Sequence, residues 1–282
     1  MFHQGYFKGW YFKCCAKEKT IAFIPAYHRS DHRETVSLQI ITDEAVFHIP
    51  FDSLEYREKP LWVKLGECLF SENGISLNLR NDKITVDGSL RFSRLSPIQY
   101  DIMGPFRYVP FMQCRHAVYS MKHRISGQII LNGQQIDFQN GIGYIEGDRG
   151  SSFPKQYIWT QCCFENGSLM LSVADIPLLG GHFTGIIGII LLDGKEYRIA
   201  TYLGAKVKRF EKNTVTVEQG EYQLTVTLME KNAQPLYAPV GGKMSRTIHE
   251  SASCKAHYQF LRKGKILCEI SSNRASFEFE YA

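Results

Sequence analysis

Glu146 and Asp148 stand two residues apart in the stretch GIGYIEGDRGSSFPKQYIWTQCC, residues 141–163, with Arg149 beside them. In an extended segment that spacing puts both carboxyls on one face, where like charges push one of the two pKa values up. Arg149 works against this by holding a neighbouring carboxylate ionised. Phe153, Tyr157, Ile158 and Trp159 follow at once. A carboxyl desolvated among such rings keeps its proton near neutral pH and can act as a general acid. The same residues also suit a solvated turn, with Asp148 paired to Arg149 and Gly147 and Gly150 allowing the bend.

Other residues offer weaker chemistry. His116 and His123 lie seven apart on what reads as a strand, so they point to opposite faces and do not share a metal. One of them could orient a hydroxyl or take its proton; plain structural histidines fit equally. Ser120 is four residues from His116 and shares its face, but no Gly-x-Ser-x-Gly elbow supports a hydrolase. HRSDHRE (28–34) gathers His28, Asp31, His32 and Glu34 between two strand-like runs, which makes it a charged hairpin loop. GGHFTGIIG (180–188) lacks the Lys-Ser/Thr of a phosphate-binding loop and reads as a strand. His182, with Asp175 nearby, could line the mouth of a cavity. No metal site is expected.

The elements that would position these residues are strands. In KITVDGSLRF (83–92) apolar and polar residues alternate, as they do in TVTVEQGEYQLTVTL (214–228) and in the terminal SFEFEYA. Asn73-Gly74, Asn132-Gly133, Asn166-Gly167 and Asp193-Gly194 mark hairpin turns. DSLEYREK (52–59) is a candidate short helix in an otherwise all-β chain. The pattern also repeats. WYFKCCAKEKTIAF (10–23) lies over IWTQCCFENGSLML (158–171) at a shift of 148. FSENGISLNL (70–79) lies over FEKNTVTVEQ (210–219), KITV (83–86) over QLTV (223–226), and CRHAVYSM (114–121) over CKAHYQFL (254–261), all at a shift of 140. These overlays predict two lipocalin-like antiparallel β-barrel or sandwich units in tandem, 1–140 and 141–282, with segment exchange between them left open. Trp10, Tyr11, Phe12, Tyr157 and Trp159 would be core and pocket wall together.

Bulk properties narrow the function classes. The formal charge of +5, from 33 basic and 28 acidic residues, is spread along the chain, so nucleic acid is not an expected partner. The N-terminus lacks a signal-peptide pattern, and the longest apolar run, FTGIIGIILL (183–192), is half a membrane span. The expectation is a soluble cytoplasmic protein whose 8 cysteines are packing residues without a C-x-x-C motif.

Three blocks carry a family resemblance: FKGWYFK (7–13), DIMGPFRYVPFMQCRHAVYSMKHRISGQI (101–129) and YIEGDRGSSFPKQYIWTQC (144–162). They resemble the signature blocks of the tocopherol cyclase-like family, and the likeness fades after about residue 190. The resemblance implies a tandem lipocalin-like (calycin) fold, related to carotenoid-hydratase and AttH-type proteins. It also implies closure of a chromanol ring from a prenylated hydroquinone. Such chemistry protonates an alkene and captures the cation with a phenol oxygen, or with water in a hydratase, and needs no cofactor. Glu146 or Asp148 would be the acid and His116 would assist. Trp10, Tyr11, Phe106, Ser120, His123, Arg149, Phe153, Trp159, Asp175 and His182 would contact substrate. The expected partner is a prenyl quinol or polyene, and transient membrane-surface contact is compatible with collecting one. Two departures stand out: Lys8 where the family carries an acid before Gly-Trp, and Glu146-Gly147-Asp148-Arg149-Gly150 where it commonly has Glu-Lys-Asn/Asp-Trp-Gly. A non-catalytic carrier of a lipophile and a structural module with filled interiors are the competing readings.

Overall fold

A computed structural model describes residues 5–17, 19–30, 33–110, 112–178, 181–230 and 233–281. The chain is nearly all β, as the alternation predicts, and divides into two compact units. The first contains residues 1–97, 116–152 and 237–246; the second contains 98–115, 153–236 and 247–282. Among the described residues no helix is long and apolar enough to cross a membrane.

The first unit's strands are β1 (Tyr6–Cys15), β2 (Thr20–Ser30), β3 (Arg33–Thr42), β4 (Val46–Phe51), β5 (Glu55–Glu58), β6 (Leu61–Leu65), β7 (Cys68–Ser71), β8 (Gly74–Arg80), β9 (Thr85–Phe92), β10 (Cys114–Leu131), β11 (Gln134–Asp137) and β12 (Gly141–Gly150). They form one antiparallel sheet in the order β4-β3-β2-β1-β12-β10-β9-β8-β7-β6-β5, with β11 on β10. Strand β12, just past residue 140, pairs with β1 and belongs to this unit. The short helix expected over 52–59 is not formed. Glu55–Glu58 pairs with β6, setting Tyr56 opposite Val63 and Arg57 opposite Trp62, so sheet pairing overrides a weak local helical pattern.

The second sheet is built from β13 (Tyr157–Phe164), β14 (Gly167–Leu178), β15 (Gly181–Leu192), β16 (Lys195–Ala200), β17 (Lys206–Glu211), β18 (Thr214–Gln219), β19 (Tyr222–Glu230), β20 (Gln234–Val240), β21 (Lys243–Arg262) and β22 (Lys265–Phe279), of which residues 237–246 belong to the first unit. The order is β16-β15-β14-β13-β22-β21-β19-β18-β17, with β20 on β21. The internal repeat is visible in the pairing. Cys14 faces Ile21 and Cys162 faces Leu169, which is the 148-residue shift at both positions. Ser71 faces Gly74 and Glu211 faces Thr214, the 140-residue shift. The overlay of 114–121 on 254–261 fails, however. In β10 the residues that pair with β9 are Ile125–Leu131, whereas in β21 they are Lys255–Arg262 against β19. Residues 114–121 therefore have their counterparts nearer the start of β21.

Each unit has its own apolar core. In the first, Trp10, Phe12 and Cys14 of β1 point inward, with Ile21 and Phe23 of β2, Leu38 and Ile40 of β3, and Ile145 of β12. Strand alternation then places the odd residues of β1 and β3 and the even residues of β2 and β12 on the opposite face. That second face carries the acids.

Candidate functional site

Register brings Glu146 opposite Tyr11 and Asp148 opposite Gly9, with Tyr144 opposite Lys13. All lie on the face turned away from the unit's core. His116, near the start of β10, joins them there. Its Nδ1 is 2.9 Å from Asp148 Oδ1, and its Nε2 is 3.1 Å from Glu146 Oε2, an ion-pair contact without hydrogen-bond alignment. Tyr144 donates its hydroxyl to Glu146 Oε2 at 2.6 Å. His116 and Glu146 are buried, and the Asp148 side chain is 22% exposed.

One imidazole is thus held between two carboxylates. Burial alone would lower the His116 pKa, but the charges of Glu146 and Asp148 and the hydrogen bond to Asp148 outweigh it and raise the value well above the usual histidine range. A ring held in this way carries two N–H groups at neutral pH. The three side chains offer donor atoms within 4.8 Å of one another, close enough for a metal ion to bridge.

The remaining sequence candidates are distributed as follows. Tyr11 shares the acids' face. Trp10 lies on the core face, and so does Arg149, opposite Lys8. Arg149 does not share the face of Asp148: it approaches Glu58 at 3.8 Å, because adjacent strand residues point to opposite faces. Lys8 pairs with the same Glu58 and sits 4.6 Å from the Tyr56 ring and 5.3 Å from Trp10, so the acid near the Gly-Trp pair comes from β5. Phe106, Phe153, Trp159, Asp175 and His182 belong to the second unit. There Phe106 packs on Phe183 at 5.8 Å, Phe153 on Tyr157 at 6.1 Å, and Asp175 takes hydroxyls of Thr184 and Tyr281. Trp159 is buried opposite Glu278, and His182 is exposed.

His123 faces the core side. Its ring packs on Phe92 at 4.4 Å and its Nδ1 is 3.0 Å from Ser120 Oγ, which also accepts the Ser96 N–H. Burial lowers its pKa to about 4, so it is neutral. The ring lies against Gly143, where a Cβ would come within 2.2 Å of Nε2. Gly143→Ala is therefore expected to lower stability by about 1–3 kcal/mol through overpacking. A thermal melt checks this, and His123→Ala in the same chain should recover most of the loss.

One site residue escapes a reading by motif. Tyr144 was legible in principle, since positions 144, 146 and 148 share a strand face. The loop expected over 28–34 is a hairpin in which His28 still belongs to β2 and Glu34 to β3, while Asp31 and His32 lie outside the described residues.

A model of the tocopherol cyclase-like family matches residues 78–279, most of the chain. The chain belongs to the tocopherol cyclase-like family. The match begins at residue 78, after the FKGWYFK block, and runs through β22, well past about residue 190 where the recognised likeness fades. Two crystal structures, of CghA and of CghA with Sch210972, superpose with TM-scores of 0.66 and 0.65. Each covers 99% of this chain and 89% of the other, at 8% and 9% identity, so they establish a shared fold. No curated protein matches this tocopherol cyclase-like chain by sequence.

Proposed function

We propose that this tocopherol cyclase-like protein closes a ring, or adds water, on a hydrophobic prenylated substrate by protonating an alkene without a cofactor. The observation that carries this is the buried His116 held between Glu146 and Asp148. A carboxylic acid is the stronger acid, and the imidazolium is the proton store. One proton passes from His116 to a carboxylate and from there to an alkene carbon, leaving neutral imidazole and a tertiary carbocation. The substrate's phenol oxygen bonds to the cation, and its O–H proton returns through the carboxylate to His116. Substrate and product are isomers, and the cluster ends as it began.

The surroundings suit a cation. Tyr11 and Tyr144 flank the acids, and an aromatic face stabilises a nearby cation by about 0.5–2 kcal/mol. Family membership and the fold shared with CghA, which was crystallised with Sch210972, are consistent with a small apolar ligand. The test is incubation with a prenylated hydroquinone in D₂O. Ring closure by this route places one solvent deuterium on the carbon that was protonated, read by mass spectrometry. Chromanol formed without deuterium, or no product from any prenyl quinol or polyene offered, would sink the reading.

A further inference from the structure

On the acids' face of the first unit a row of small residues leads away from the cluster. Reading across the strands, Asp148 of β12 faces Gly9 of β1, Gly9 faces Ala26 of β2, and Ala26 faces Ser37 of β3. The neighbouring rows are bulkier: Phe7 opposite His28 on one side, Tyr11 and Gln39 on the other. A row of small side chains thus crosses the sheet between bulkier ones.

Gly9 is not required by the backbone or by crowding. A Cβ there would meet Ala26 Cβ at 3.5 Å, Pro25 O at 3.8 Å and Ile24 Cγ2 at 4.0 Å, all ordinary contacts. Its glycine leaves space that an alanine would occupy.

The far end holds buried polar groups. His28 is 3% exposed and Ser37 4%, yet among the described residues both ring nitrogens of His28 and the hydroxyl of Ser37 lack a hydrogen-bond partner. Both project from the acids' face, His28 one row beside Ser37. Leaving such groups buried and unsatisfied costs free energy, which a ligand would recover. Burial holds the His28 pKa down to about 4, so the ring is neutral and offers one donor and one acceptor. The segment Tyr237–Arg246 closes this end. Gln39 binds both the N–H and the carbonyl of Tyr237, and Gly242 packs against Arg29 O and Tyr6 N.

We infer that this row floors a trench that binds an extended apolar chain whose uncharged oxygen group, a hydroxyl, docks on His28 and Ser37 while its reactive alkene lies at Asp148 and His116. Three strand spacings of about 4.8 Å separate Asp148 from Ser37, roughly 14 Å, the reach of about ten to twelve carbons. The inference rests on the proposed function only for which end of the ligand meets the acids.

The experiment measures binding, by calorimetry, of ω-alken-1-ols of six to fourteen carbons to the full chain. Affinity should peak near eleven carbons, and capping the hydroxyl as a methyl ether should cost about tenfold at that length. His28→Leu with Ser37→Ala should abolish the preference for alcohol over ether. Gly9→Ala should weaken the long alkenols about tenfold and leave the six-carbon one unchanged. Affinity that rises steadily with length, without a hydroxyl preference in the wild type, overturns the inference. So does a Gly9→Ala effect equal at all lengths. Length-selective binding without turnover of any alkene would retain the trench and remove the reaction; turnover without length selectivity would do the reverse.

Discussion

Glu146→Gln is expected to cut turnover of a prenylated hydroquinone by about 10²–10⁴-fold, the range a positioned general acid supplies, while binding stays within a few-fold. The amide keeps the shape of the carboxylate, and its carbonyl oxygen can still accept from Tyr144 and face His116. What it cannot do is carry a proton. The same change removes one of the two charges that raise the His116 pKa, so residual activity should fade at lower pH than in the wild type. Asp148→Asn tests the other arm. Glu146 is the drier of the two, with a side chain 5% exposed against 22%, so its substitution should cost more. Steady-state kinetics with product analysis checks both. Unchanged turnover in both variants would leave the cluster without a catalytic part.

Strand alternation carried most of the fold into view, because one buried face imposes a period of two on every strand. It failed where local composition competes with pairing. The residues of β5 look helical in isolation and are extended because β6 lies beside them. Turn chemistry was legible in part. Asn132-Gly133 and Asp193-Gly194 both adopt positive φ, as a type I′ turn requires. Gly74 and Gly167 instead open strands β8 and β14. Lys263-Gly264 makes the same left-handed pair between β21 and β22 without an Asn or Asp to announce it.

The site was legible to a similar depth. The spacing of Glu146 and Asp148 correctly implied a shared face, and the seven-residue spacing of His116 and His123 implied opposite ones. That His116 would sit between both acids depends on β10 lying next to β12, a pairing about 30 residues apart that no local pattern encodes. The pairing of Asp148 with Arg149 was the tempting local reading. It fails for the same reason that the two acids agree: a step of one residue crosses the sheet. His28 was hidden by its neighbours, since a charged heptapeptide reads as a loop while its first residue is the buried end of β2.

His116→Gln should lower stability more than any surface change in this chain, because it leaves two carboxylates together without their cation. Breaking a buried ion pair in this way costs about 3–5 kcal/mol. With melting shifts of about 2–4 °C per kcal/mol in chains of roughly this size, the loss should be near 10 °C. The pH dependence follows from the raised folded-state pKa of His116. A group that binds its proton more tightly when folded stabilises the fold fully below its unfolded pKa, about 6.5 for histidine. That contribution is lost as pH rises through the folded value. The gap between wild type and His116→Gln should therefore be widest below about pH 6.5 and narrow on the alkaline side. Adding Glu146→Gln to His116→Gln should return part of the loss, since one uncompensated charge is removed. Melts at a series of pH values read all three effects. A gap that stays constant with pH would mean that His116 is neutral in the folded chain, and the proton reservoir on which the chemistry draws would not exist.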